Sequence, residues 1–183
     1  SYSALATKLL YDVILRPSPE NPERLARALD LGNKAVRLEP EDSAGHLAVG
    51  TVNMWLSERD TSLAALARAV KLAPNSADAH HGLGWALLTF GQIEEAILPL
   101  ERALQLSPND PRLFGFHLQL GIAHLLMSNT ERAQLILVEA VTMSPDDFWG
   151  HAFLAVTLPL ADKKLEGQKA LAKAISIGLP SAS

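Results

Sequence analysis

Cysteine is missing altogether, and with it disulfide staples, thiolate nucleophiles and the usual cysteine-held zinc sites. That fits a reducing compartment, and a cytoplasmic location is expected. Basic residues are never gathered: sixteen Lys and Arg lie scattered among twenty Asp and Glu, for a net charge of −4. The electrostatic footprint for nucleic acid is therefore missing, and no nucleic-acid partner is expected. No apolar run approaches the roughly 18–20 residues that cross a bilayer. The longest, Ala152 to Ala161, is interrupted by Thr157 and Pro159, so no membrane partner is expected either. There is no phosphate-binding loop, no Gly-x-Ser-x-Gly elbow and no His-Glu-x-x-His pair. The opening Ser1-Tyr2-Ser3-Ala4 carries neither an initiator Met nor a charged-then-apolar targeting pattern, and reads as the start of a piece cut from a longer protein.

What is present is core material and punctuation. Hydrophobic residues make up 48% of the 183 and charged residues 20%, which excludes a disordered tail. Four apolar helical patterns end alike, in Leu38-Glu39-Pro40, Leu72-Ala73-Pro74, Leu106-Ser107-Pro108 and Met143-Ser144-Pro145. Their prolines are 34, 34 and 37 residues apart. An alanine precedes each at a fixed offset, Ala35, Ala69, Ala103 and Ala140, and Val49-Gly50, Leu83-Gly84 and Leu120-Gly121 keep the same step. A fifth copy holds the frame through Leu154-Ala155 and Ala174 to a shifted Pro180. A period in this range marks stacked helical hairpins, none of which can bury its apolar face alone.

These residues resemble the tetratricopeptide (TPR) family, whose repeat runs aromatic, Leu-Gly, large residue, small-large-small alanine positions, then Pro. Ala96, Leu100, Ala103 and Pro108 carry the pattern best, followed by Ala133, Leu137, Ala140 and Pro145. The resemblance covers roughly residues 5 to 180. It implies an all-α fold: a right-handed superhelical solenoid of about five helix-turn-helix repeats, in one array over 1–183. The repeats are expected near 2–40, 43–76, 77–110, 111–147 and 148–181.

Local chemistry refines that frame. A mid-helix glycine such as Gly84 or Gly121 costs about 1 kcal/mol against alanine, so close approach of the paired helix is its expected reason. Asp42, Ser76, Asp110 and Asp147 each stand two residues past a proline and are expected to cap the next helix, with Pro111 suiting a first helical position. The run Arg16-Pro17-Ser18-Pro19-Glu20-Asn21-Pro22 predicts a long loop inside the first copy. Pro99 and Pro159 are expected to kink or end their helices. The three extra residues of the fourth copy are expected to lengthen its first helix by about a turn.

Four of the six histidines, His46, His80, His117 and His151, fall at one repeat position. A metal ladder is the sharp reading. Stacked helices lie about 8–10 Å apart, whereas zinc needs each nitrogen near 2.0–2.1 Å, so packing or helix-pair hydrogen bonding is the better one. Gly82-Leu83-Gly84 lacks the preceding strand and third glycine of a dinucleotide motif. Paired acids (Glu41-Asp42, Glu94-Glu95, Asp146-Asp147) sit at helix starts, where they favour the positive helix end. No catalytic residue, metal site or cofactor is expected, and an enzyme is not.

In TPR proteins the first helix of each pair lines a concave groove. The resemblance places Leu47, Thr51, Met54 and Trp55 of the second copy on that surface. Asp78, His81, Trp85, Leu88 and Thr89 follow from the third, and Gly115, Leu118, Ile122, Leu125 and Leu126 from the fourth. The fifth gives Trp149, Ala152, Val156, Pro159 and Leu160, so all three tryptophans are included. The Lys/Asn/Arg clamp by which some TPR domains grip a C-terminal carboxylate is not matched. Thr51, Trp85, Ile122 and Val156 stand where its asparagines would recur, and the groove has no lysine. An apolar, aromatic-anchored trough implies a protein or peptide ligand, an amphipathic helix or apolar strand. The alternative is a trough filled by its own side chains or closed by a second copy. Ile175, Ile177 and Leu179 also leave the C-terminal end apolar, open to homodimerisation or to the rest of a parent protein. The Leu106–Pro111 run and the Ala35–Pro40 stretch further resemble C-terminal TPR regions of bacterial adenylate cyclases and winged-helix regulators. That likeness implies a docking arm of a signalling protein. A stand-alone adaptor remains the other possibility.

Overall fold

Each apolar period ahead of a proline forms a helix in the computed structural model, which describes residues 1–15, 20–108 and 113–178. Among the described residues there are helices and turns and no strand. The helices are α1 (Tyr2–Leu15), α2 (Asn21–Leu38), α3 (Ser43–Trp55), α4 (Arg59–Leu72) and α5 (Ala77–Thr89). They continue as α6 (Ile93–Leu106), α7 (Leu113–Leu126), α8 (Thr130–Met143), α9 (Phe148–Leu160) and α10 (Lys164–Ile177). They divide into two compact units, one from Ser1 to Gly91 and one from Gln92 onward.

In the first unit α1 packs on α2 and α3 on α4, while α2 meets α3 and α4 meets α5. The first helices of successive pairs also touch, α1 with α3 and α3 with α5. In the second unit α7 packs on α8 and α9 on α10, with α6 against α7, α8 against α9 and α7 against α9. Small residues make these approaches close. A Cβ on Gly50 would stand 2.5 Å from Leu66 Cγ of the paired helix, and one on Gly121 would stand 2.7 Å from Leu137 Cγ. The helix-propensity cost of glycine is thus spent on bringing two backbones together.

The turn within a pair is set by one residue in the left-handed region. Ser57 (φ 61°), Gly91 (φ 79°), Ser128 (φ 62°) and Asp162 (φ 59°) occupy equivalent places after the first helices. Around three of them the backbone closes back on the helix: the N–H groups of Glu58, Asn129 and Lys163 donate to the carbonyls of Asn53, His124 and Leu158, each at 2.9 Å. This pattern satisfies carbonyls that a helix end leaves without partners.

The connection between pairs is set by caps. Asp42 accepts from Ala44 N–H at 3.0 Å, Ser76 from Ala79 N–H at 3.2 Å and Asp147 from Gly150 N–H at 2.6 Å, as the sequence predicts. The expected cap Asp110 and its neighbour Pro111 lie outside the described residues, as do Leu179 and Pro180. The acid before two of these caps ties the connection to the helix beyond it, since Glu41 pairs with Arg68 of α4 and Asp146 accepts from Lys173 Nζ of α10 at 2.8 Å.

Two expectations need correction. The proline-rich loop of the first copy is shorter than predicted, because Asn21 and Pro22 already belong to the first turn of α2, where a missing N–H costs nothing. Pro99 does not end α6, which runs on to Leu106. The ring is buried, offsetting part of the roughly 3 kcal/mol that an interior proline costs. Pro159 behaves as expected, since α9 stops one residue later. The expected extra turn at the start of the fourth copy's first helix falls on 109–112, outside the described residues; the described part of α7 has 14 residues against 13 in α3, α5 and α9.

Candidate functional site

The first helices carry alternating duties, because one side packs on the paired helix and another on the neighbouring first helix. In the first unit this divides the expected groove residues. Leu47 and Met54 turn inward, into a cluster with Leu66 and Ala86, and Leu47 also fills the space over Gly82. Thr51 donates its hydroxyl to the Leu47 carbonyl at 2.8 Å, and Thr89 donates to the Trp85 carbonyl at 2.8 Å, so both hydroxyls are spent on their own helices. Trp55, the last residue of α3, is exposed and meets Trp85 of α5 edge-on, ring centroids 5.8 Å apart at 90°. One helical turn before Trp85, His81 lies 5.9 Å from it at a 33° tilt. Leu88 is half-buried on the same helix. The sequence prediction thus brings together Trp55, Trp85 and His81, while Leu47 and Met54 belong to the core. Trp85 does both, since its ring also packs against the Leu66 cluster.

The second unit shows a similar division. Leu118 packs into the cluster of Leu137, Leu154, Leu158 and Ala170. Ile122, Leu125 and Ala152 are half-buried, whereas Leu126, Trp149, Val156 and Leu160 are exposed. Trp149 meets Phe148 edge-on at 5.1 Å and 83°, at the start of α9. Gly115 leaves open space where a side chain would be. A cleft that the repeat frame does not point to lies beside the turn after α9, lined by Leu135, Leu160, Glu131 and Asp162. Its sequence signal is Leu135, an apolar residue of α8 outside the packing positions.

The repeated histidines serve the connections rather than a metal. The Nε2 of His46 bonds the Pro40 carbonyl at 2.9 Å, His80 the Pro74 carbonyl at 3.0 Å and His151 the Pro145 carbonyl at 2.9 Å. A carbonyl oxygen only accepts, so Nε2 carries the proton. His117 departs: its Nδ1 donates to the Leu113 carbonyl at 2.9 Å and its Nε2 faces Glu139 at 3.3 Å. In sequence, nine residues rather than six separate it from Pro108. Among the described residues no group of three His, Asp or Glu converges as metal ligands would.

Two ionisable groups are perturbed. His124 has both ring nitrogens shut off from solvent without a hydrogen-bond partner. Burial holds its pKa below the usual histidine value, Arg132 pushes the same way, and Glu101 opposes them. Asp146 is held below the usual carboxylate value, first by the Lys173 hydrogen bond and then by the same ammonium charge.

Helix pairs joined by a left-handed turn, capped beside a proline and stacked through glycine and alanine, match known proteins over almost the whole chain. MamA residues 41 to the end, from Desulfovibrio magneticus RS-1, superposes with a TM-score of 0.74 at 19% identity, covering 97% of this chain and 95% of that one. The fold is the tetratricopeptide repeat fold. The tetratricopeptide repeat family model matches residues 56–111. YrrB, a TPR protein with an unusual peptide-binding site, gives a TM-score of 0.71 at 20% identity, covering 96% of this chain and 84% of that one. PilF of Pseudomonas aeruginosa gives 0.82 at 17% identity, covering 97% and 75%. No curated protein sequence matches the chain. Among the described residues, no helix is long and apolar enough to cross a membrane.

Proposed function

We propose that this chain is a non-catalytic protein-interaction scaffold that holds an apolar or amphipathic helix against α3 and α5. The observation that carries the reading is the exposed Trp55 ring standing edge-on to Trp85, with His81 beyond it. A rigid aromatic pair offers large contact area at little conformational cost, the usual character of an anchor in a binding surface. The neighbouring threonine hydroxyls are already satisfied by their own helices, so the surface recognises shape and apolar area rather than charge. The likeness to YrrB, a protein with a peptide-binding site, supports the same reading. The short stretches resembling TPR regions of bacterial signalling proteins support a further step, in which the chain is the docking arm of a cytoplasmic regulator.

The test is a fluorescence-anisotropy titration of labelled amphipathic helical peptides with a Leu/Phe stripe. Saturable binding is expected, and Trp55→Ala is expected to weaken it about tenfold while leaving helix content unchanged by circular dichroism. Trp85→Ala is the poorer probe, because that ring also packs in the core. If binding is indifferent to Trp55→Ala, the assignment to this face is wrong.

A further inference from the structure

Leucine recurs at two places in the second unit where the first unit has other residues. In the step of the buried alanines, Asp30, Ala64, Leu98 and Leu135 hold one place on α2, α4, α6 and α8. The last residues of α3, α5, α7 and α9 are Trp55, Thr89, Leu126 and Leu160. Leu98, Leu126, Leu135 and Leu160 are 75%, 59%, 59% and 63% exposed, so they add little to the stack. Single exposed leucines are ordinary on a protein surface, but a pair repeated at one register is not scatter.

Leu135 and Leu160 line one cleft of about 480 Å³, between the start of α8 and the turn after α9. Glu131, in the first turn of α8, and Asp162, in the left-handed turn, line it too. Both are exposed, and among the described residues neither has an ion-pair partner. Acids at two other connections are matched within the chain, Glu41 by Arg68 and Asp146 by Lys173. The cation lining the cleft, Lys163, is engaged with an amide instead: its Nζ donates to Gln134 Oε1 at 3.0 Å, which ties the turn to α8. Each acid also has a local use, Glu131 at a helix N-terminus and Asp162 in a conformation that aspartate tolerates. Neither use requires the leucines beside them, and the equivalent turns manage with Ser57, Gly91 and Ser128.

We propose that this cleft is a second docking site, built from other residues than the Trp55 face, for a short partner segment that carries a large apolar side chain within one turn of an Arg or Lys. The apolar side chain lies between Leu135 and Leu160, and the cation meets the carboxylates of Glu131 and Asp162. Charge complementarity selects this occupant, because the cleft offers two unmatched carboxylates around an apolar floor and charge-assisted hydrogen bonds are the strong ones. The cleft is open along one side, whereas a small metabolite is held by burying most of its surface. The ligand is therefore presented on another protein.

The test is a two-dimensional amide NMR titration of the 183-residue chain with a panel of short acetylated peptides, each pairing one Leu or Phe with one Arg at varied spacing. Saturable shifts confined to 131–135 and 160–163 are expected from at least one spacing, with a Kd on the order of 0.1 mM. Replacing both Leu135 and Leu160 with Gln is expected to abolish them. Glu131→Gln together with Asp162→Asn is expected to weaken binding about tenfold and to remove its dependence on salt. All four residues are exposed, so helix content is expected to stay unchanged. Trp55→Ala is expected to leave these shifts intact, which separates this site from the Trp55 face. A panel in which no member shifts these amides would overturn the proposal. So would equal binding when Glu replaces the peptide's Arg, or shifts that arise on concentrating the chain alone, the mark of a second copy in the cleft.

Discussion

His151 reaches back six residues to donate its Nε2 proton to the Pro145 carbonyl at 2.9 Å, closing the connection between α8 and α9 like a latch. His46 and His80 do the same at Pro40 and Pro74. Replacing His80 with Ala is expected to lower stability by about 1 kcal/mol, the net worth of one hydrogen bond. Amide hydrogen exchange around Ser76 is expected to quicken with it. A urea midpoint and exchange rates identical to the parent chain would show that the latch carries no weight.

Ser128 holds φ 62°, a conformation that costs a side-chain-bearing residue about 1 kcal/mol and glycine nothing. Ser128→Gly is therefore expected to stabilise the chain by roughly 0.5 kcal/mol, after subtracting the extra entropy of a glycine when unfolded. Gly91→Ala, the reverse change at the equivalent place (φ 79°), is expected to destabilise it. Urea unfolding of both variants reads the sign directly, and two shifts in one direction contradict the account.

Gly121→Ala brings a methyl to within 2.7 Å of Leu137 Cγ, in a core where that leucine has nowhere to go. The gain in helix propensity, about 1 kcal/mol, is expected to be outweighed by overpacking of roughly 1–3 kcal/mol. Trimming Leu137 to Val in the same chain is expected to recover part of the loss. A neutral or stabilising Gly121→Ala would mean that the two helices can part at little cost.

His124 resists protonation in the folded chain, chiefly through burial of its ring nitrogens, with Arg132 adding to the effect and Glu101 opposing it. The unfolded chain takes up that proton near the ordinary histidine value of about 6.5. Stability from this group is thus intact above that pH and falls as the solution is acidified toward the lower folded value. His124→Leu is expected to flatten the loss between neutral and mildly acidic conditions, measured by urea unfolding at each pH. An unchanged slope would remove His124 as its source.

Much of the fold was legible because punctuation repeats: prolines, caps and small residues recur in step, and each has a local physical cause. The left-handed turns were written less plainly. Only Gly91 advertises the conformation that Ser57, Ser128 and Asp162 share. The histidine ladder was visible as a pattern, but its partner was not: packing or a helix-pair hydrogen bond is what the sequence suggests, whereas His46, His80 and His151 bond a proline carbonyl six residues back. Periodicity says that two residues keep company without saying which atoms meet. The groove positions were half legible for a similar reason. The register places Leu47 and Trp55 on one helix face, and only the neighbouring first helix decides that Leu47 is covered and Trp55 is not.

Gly32 sits where the other interior second helices place a leucine, and Val49 of α3 comes so near that a Cβ there would lie 3.0 Å from its side chain and 3.4 Å from its backbone nitrogen. The hairpins look like copies of one part, yet this joint has been cut to its own measure. An engineer who averaged the repeats and wrote leucine at position 32 would wedge this seam apart, and a hairpin moved elsewhere along the chain would not find the neighbour it was shaped for.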